Sequence, residues 1–137
     1  MNYNPIENIK IDLNLPTVQA DEEKISWVIA QLLSNAIKFN KPGGKVSLIM
    51  IKDQAAKNMV HIYVADTGIG ISQDQIKEVF KPFFQGDASS TRRYGGTGLG
   101  LALVLQIIEA HGSIINVKSE IDKGTTISFP LLITKAE

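Results

Sequence analysis

The sequence predicts an α+β fold: a two-layer α/β sandwich in which one mixed, mostly antiparallel sheet is covered on one face by helices. Three observations point there. Two segments, 22–39 and 99–111, repeat apolar residues at helical spacing. Four shorter segments, 46–51, 59–65, 114–117 and 126–133, are rich in β-branched residues and read as strands. The connections inside each strand pair are short and polar, so hairpins dominate over parallel crossovers. A single sheet with its helices on one side satisfies that order.

The chain has 137 residues, the length of one domain. Fourteen basic residues balance fourteen acidic ones, and this neutrality speaks against a protein that coats nucleic acid or adheres to a membrane through basic residues. Cysteine is absent, which removes disulfides and thiolate metal sites. The longest nearly apolar run, 99–108, is far too short to span a bilayer, and the first ten residues lack a secretory pattern. The expectation is a cytoplasmic segment without membrane contact, from a parent that is itself possibly membrane-anchored.

Taken in order, Ile9, Ile11 and Leu13 alternate with polar residues as a first strand, ended by Pro16. Asp21 is placed to cap the first helix, with Glu22 and Glu23 in its first turn. At about 100° per residue, Ile25, Val28, Ile29, Leu32, Leu33, Ala36 and Ile37 form one apolar arc, and Gln31, Asn35 and Lys38 lie opposite. KPGG at 41–44 turns the chain into a strand pair joined by DQAAKN. Val60, Ile62 and Val64 share one face of the second strand. A glycine-rich loop follows, and then Ser72 and Gln75 form a candidate capping box for a short helix reaching Val79. Phe80, Phe83 and Phe84 mark its end. Segment 85–97 has no periodicity and reads as a long functional loop. The second long helix, 99–111, leads to two strands around DKG.

Three constellations carry chemistry. The stripe Gln31, Asn35, Lys38 reads on its own as a solvated helix face. As a site it offers a carboxamide oxygen to a hard cation such as Mg²⁺ and an ammonium to phosphate. Asp66-Thr67-Gly68-Ile69-Gly70 ends a strand in an acceptor-only carboxylate that can bind an amino group, beside glycines that admit close approach. Its plain alternative is an Asx turn. Residues 95–100, with four glycines in six positions, run directly into a helix and make an anion-binding start. They lack the Lys and Ser/Thr of a P-loop.

The order of these motifs resembles the ATP-binding catalytic domain of sensor histidine kinases, of the Bergerat type shared with gyrase, heat-shock chaperone and mismatch-repair ATPases. QLLSNAIKFN is similar to the Asn box, DTGIGI to the first glycine box, FKPFFQ to the Phe box, GGTGLGLAL to the second glycine box and DKGTTISFPL to the last. The resemblance covers nearly the whole chain. It implies that Asn35 binds Mg²⁺, Lys38 reaches the phosphates and Phe39 lies against the nucleotide. Asp66 would accept from the adenine amino group, with Gly68, Gly70, Ile71 and Thr125 shaping that end of the pocket. Thr97, Gly98, Leu99, Gly100 and Leu101 would hold phosphate. Segment 85–97 would be an ATP lid, from which Arg92 or Arg93 contacts phosphate.

Three positions depart from the family pattern: Gln31 stands where kinases often carry Asn, Gln85 where many have Arg, and Ser113 where Gly is common. The only histidines, His61 and His111, sit in settings that read as structural. The implied activity is therefore that of a catalytic domain, 1–137, without its phosphoacceptor and dimerisation domain. It would bind Mg-ATP as a monomer and donate the γ-phosphoryl to a histidine on that separate domain, upstream of a response regulator. The alternatives are a Bergerat-type conformational ATPase and a nucleotide-sensing or serine-kinase regulatory module.

Overall fold

The computed structural model describes residues 6–11, 15–52, 58–81 and 100–134. Its elements run β1 (Ile6–Ile11), α1 (Glu22–Lys38), β2 (Val46–Lys52), β3 (Met59–Asp66), α2 (Gln73–Ile76), α3 (Gly100–Ala110), β4 (Asn116–Glu120) and β5 (Gly124–Leu132).

Helix α1 starts as its sequence dictates. Asp21 is extended, and its carboxylate accepts the Lys24 N–H at 2.9 Å, while Glu22 and Glu23 oppose the positive end of the helix dipole. Ile25, Val28, Leu32 and Ala36 are buried, and Ile29 and Leu33 pack partly against the same cluster. Ile37, expected on the apolar arc, is instead 41% exposed. It lies about 120° round the helix from Ile25, past the edge of the buried stripe. Replacing Asp21 with Ala should cost about 1 kcal/mol in chemical denaturation. It removes only the side-chain cap, because the Asp21 backbone N–H keeps its own acceptor, His111 Nε2, at 3.0 Å.

The five strands lie in the order β1-β2-β3-β5-β4. β1 pairs parallel to β2, and the other three pairings are antiparallel. The period of two then decides the faces. Val60, Ile62 and Val64 stand opposite Leu131, Phe129 and Ile127 and turn the same way, into the core. Val104 and Ile108 of α3 complete that core with α1, and Phe129 is fully buried within it. After α3 the chain is tied to the sheet by the Ser113 hydroxyl, which donates to Pro130 C=O at 2.5 Å.

Two elements differ from expectation. Ser72 precedes α2 in an extended conformation but makes no side-chain cap, and the helix lasts four residues. The segment is fastened to β4 instead: Ile71 N–H donates to Ser119 Oγ at 2.7 Å and Gln73 Nε2 to Ser119 C=O at 3.1 Å. β4 occupies Asn116–Glu120 rather than 114–117. Its pairing with β5 runs up to the turn, Glu120 opposite Gly124, and Ile114 is left 76% exposed before it. Leu13, most of the DQAAKN connection, Phe83, Phe84 and the 85–97 loop lie outside the described residues.

Candidate functional site

Asp66 is the last residue of β3 and stands opposite Val46, so its side chain continues the inward series Val60, Ile62, Val64. One carboxylate oxygen, Oδ1, accepts the Gly68 N–H at 2.8 Å and the Thr125 N–H at 3.2 Å. The other oxygen, Oδ2, has no hydrogen-bond partner among the described residues. Burial pushes the Asp66 carboxyl above its ordinary range, and the two N–H donors pull partly against that. The carboxylate is thus oriented through one oxygen and available through the other. It lines an open depression of about 320 Å³ with Ser119, Gly124 and Thr125.

The loop after Asp66 is threaded between two other segments. Ile69 N–H donates to Phe39 C=O at 3.2 Å, which joins it to the end of α1, and Ile69 C=O accepts from Asp122 N–H at 2.9 Å, which joins it to the β4–β5 turn. Thr67 and Lys45 exchange a further pair, Lys45 N–H to Thr67 Oγ1 at 2.8 Å and Thr67 N–H to Lys45 C=O at 3.1 Å. A Cβ on Gly68 would press on Phe39 C=O, and a Cβ on Gly70 would overlap Glu120 C=O. Here the glycines serve the packing of protein on protein.

Asn35 is half-buried near the end of α1, and its side-chain amide has no protein partner among the described residues. The same holds for the exposed Lys38 ammonium. Phe39 is the C-cap of α1 and half-buried. Gln31 lies alongside the first residue of α3: a Cβ on Gly100 would sit 2.9 Å from Gln31 Oε1. The polar stripe of α1 therefore borders the start of α3, where Leu101 packs on the core. Arg92, Arg93, Thr97, Gly98 and Leu99 lie outside the described residues.

The structure brings Asp66, Gly68, Gly70, Ile71 and Thr125 into one cluster, and ties Phe39 to it through the loop. It adds a residue that sequence reading did not single out. Ser119 Oγ contacts Ile71 N at 2.7 Å, Thr125 Oγ1 at 2.7 Å and Gly124 C=O at 3.0 Å. Extending the alternation of β4 two residues past Val117 would have put Ser119 on the inward face.

Both histidines make contacts within the protein. His111 Nδ1 lies 2.7 Å from Ile107 C=O and Nε2 accepts from Asp21, so both ring nitrogens are engaged. The His61 ring stacks on Tyr63 at 4.7 Å between centroids.

Comparison with known proteins agrees with this fold. Residues 20–135 match the family described as histidine kinase-, DNA gyrase B-, and HSP90-like ATPase. The sensor histidine kinase WalK of Bacillus subtilis is 38% identical over 129 residues, covering 91% of this chain and 21% of that protein. The autoinducer 2 sensor kinase/phosphatase LuxQ of Vibrio vulnificus is 37% identical over 132 residues, covering 94% of this chain and 15% of its own length. The chain thus spans about a fifth or less of these relatives. Among solved structures, the mycobacterial sensor histidine kinase MprB superimposes with a TM-score of 0.79 at 27% identity, over 96% of this chain and 86% of that one. Full-length ShkA in complex with AMPPNP gives 0.78 at 30% identity, over 96% of this chain and 27% of its own. The inward carboxylate at the end of β3, the glycine-packed loop and the mixed sheet thus meet the same answer from sequence and from shape: the chain belongs to the histidine kinase-, DNA gyrase B-, and HSP90-like ATPases, as an ATP-binding catalytic domain of the sensor histidine kinase kind.

Proposed function

We propose that this chain holds Mg-ATP and donates its γ-phosphoryl to a histidine on a separate dimerisation and phosphotransfer domain of the same parent protein, from which a response regulator takes it on. The observation that carries the reading is Asp66, half-buried and anchored by two peptide N–H groups through one oxygen. The second oxygen is left to receive the exocyclic amino group of adenine. The AMPPNP complex of the similar ShkA supports a triphosphate in a fold of this shape.

Asn35 fits a hard cation: its oxygen is of the type Mg²⁺ takes, and no protein group among the described residues competes for it. Bound there, Mg²⁺ would neutralise triphosphate charge. Lys38, exposed beside it, supplies a second positive group. Phosphoryl transfer rests mainly on such positioning and neutralisation. Arg92 and residues Thr97, Gly98, Leu99, Gly100 and Leu101 are proposed to close the phosphate end. The contacts of His111 and His61 within the protein support an acceptor elsewhere, and Gln31 has no carboxylate with which to take a proton from water. Among the described residues no helix is long and apolar enough to cross a membrane. The domain is proposed to act in the cytoplasm as a monomer, without nucleic acid.

The test supplies γ-labelled ATP to the chain together with a dimeric helical domain bearing the parent's histidine. In the expected result an N–P bond forms on that histidine as ADP leaves, giving an acid-labile, base-stable phosphate. Asn35→Ala should abolish the transfer while circular dichroism stays unchanged, because Asn35 lies off the buried stripe. Rapid hydrolysis by the chain alone, with no phosphate on the histidine, would favour a conformational ATPase instead.

A further inference from the structure

Ser119 and Asp66 hold opposite ends of one peptide. The Ser119 hydroxyl accepts the Ile71 N–H at 2.7 Å and donates to Gly124 C=O at 3.0 Å. The Thr125 N–H belongs to the same peptide unit as that carbonyl, and it donates to Asp66 Oδ1 at 3.2 Å. In a planar trans peptide the C=O and N–H point in opposite directions. The 124–125 peptide is thus stretched between a hydroxyl on β4 and a carboxylate on β3. It begins on a glycine at φ +124°, with no Cβ to restrict its rotation, so its direction depends on these two partners more than an ordinary strand peptide would. A second tie, 2.7 Å between the Ser119 and Thr125 hydroxyls, holds the same residue by its side chain. Ile71 closes the loop that starts at Asp66, so the series Ile71 N–H, Ser119 O–H, 124–125 peptide, Asp66 forms a ring. Hydrogen bonds in such a series polarise one another.

We propose that Ser119 is a positioning residue for Asp66: its hydroxyl aims the 124–125 peptide so that the Thr125 N–H stays on Oδ1 and Oδ2 is left to the ligand. That the ligand is ATP rests on the reading given above, but the hold on Asp66 does not. Ser119 is itself fixed by its register opposite Thr125 and by Gln73 Nε2 on its carbonyl at 3.1 Å. The position has a titration consequence. Burial raises the Asp66 carboxyl, and the Gly68 and Thr125 N–H groups oppose that by favouring the charged form. With the Ser119 hydroxyl gone, the Thr125 N–H is less firmly aimed, and Asp66 takes up its proton at a higher pH. Of the charged groups on the segments packed about Asp66, Lys118, Glu120 and Lys123 line the same depression, Lys41 reaches Asp122 C=O at the turn, and Lys45 adjoins Thr67. All of them are the same in wild type and in the variants below, so a difference between these proteins reads the Ser119 hydroxyl.

The experiment follows the Asp66 side-chain carboxyl carbon by NMR through a pH titration of the ligand-free chain, with Asp66→Asn identifying the signal. In wild type the Thr125 amide proton should shift with the same midpoint as that carboxyl. Ser119→Ala should move the midpoint to higher pH, and Ser119→Thr, which keeps the hydroxyl, should stay close to wild type. Ser119→Cys, close in size to serine but a weak donor, should move it in the same direction as Ser119→Ala, and carries the test should that variant fail to fold. ATP affinity of Ser119→Ala at neutral pH should fall by about 2- to 10-fold, the net worth of one neutral hydrogen bond. A variant that lowers the thermal midpoint but leaves the Asp66 titration unchanged, or moves it to lower pH, overturns the proposal and leaves Ser119 a packing residue. A shift in Ser119→Thr as large as that in Ser119→Ala overturns it too, as does a Thr125 amide that ignores the Asp66 titration. A shifted carboxyl with undiminished ATP affinity would uphold the hold on Asp66 and overturn the purine placement instead.

Discussion

Replacing Asp66 with Asn should weaken ATP binding by about 10- to 150-fold, while making the ligand-free protein more stable at neutral pH. The first effect follows from hydrogen-bond inventory. An Asn oxygen can keep the Gly68 and Thr125 N–H bonds that Asp66 Oδ1 now accepts. The atom in place of Oδ2 is then an amide nitrogen, a donor facing the donor on adenine. Losing a hydrogen bond to a charged group is worth about 1.5–3 kcal/mol, the range quoted above as a fold-change. The second effect follows from linkage. Burial raises the Asp66 carboxyl above its ordinary value of 3.8, so between that value and the raised one the folded state holds more protons than the unfolded state. Stability from this group is complete below the ordinary value and is lost as pH rises through the raised one. Asn does not titrate. The variant's advantage in thermal denaturation should thus be largest at neutral pH and shrink in acid. Wild-type ATP affinity should fall as acid protonates the same carboxylate. An Asn variant with unchanged affinity would remove Asp66 from the site.

The second large effect is on the fold. Gly124 opens β5 at φ +124°, and a Cβ there would overlap Asp66 C=O and lie 2.9 Å from Thr67 Cα. Gly124→Ala therefore combines backbone strain of about 1–3 kcal/mol with the displacement of backbone that has nowhere soft to go. Gly70→Ala, at φ +74° and against Glu120 C=O, should behave alike. Both should lower the thermal midpoint by several degrees per kcal/mol, about 4 °C or more in a domain of this size. Both should also weaken ATP binding, because the backbone that must move carries Asp66 and Thr125. Folding at wild-type stability by either variant would show that the loop and the hairpin do not meet as described.

Much of this was legible in the chain. The alternation of Val60, Ile62 and Val64 foretells the inner face of β3, and Asp66 continues it by one more step of two residues. The Asp21 cap and the apolar arc of α1 were readable because both depend on local spacing. The failures share a cause. The Ser72 to Gln75 pattern suggested a local cap, but tertiary bonds to Ser119 claimed that segment. β4 reads short in the sequence because Lys118 and Glu120 look like loop residues until Thr126 and Gly124 stand opposite them. Ser119 gained a role only when a residue from elsewhere in the sequence reached it. Local chemistry was visible, and contacts made at a distance were not.

The position of β5 has a consequence for how the protein acquires its site. β2 with β3 and β4 with β5 are neighbours along the chain and close as hairpins, but β5 enters the sheet between β3 and β4. The Thr125 to Asp66 bond thus spans 59 positions of sequence. Long-range pairings of this kind form slowly, after the entropy of closing the intervening loop has been met. The proposed purine wall lies at that seam, so forms in which the two hairpins are apart lack it. Nucleotide bound there would stabilise the completed sheet over forms in which the two hairpins have separated.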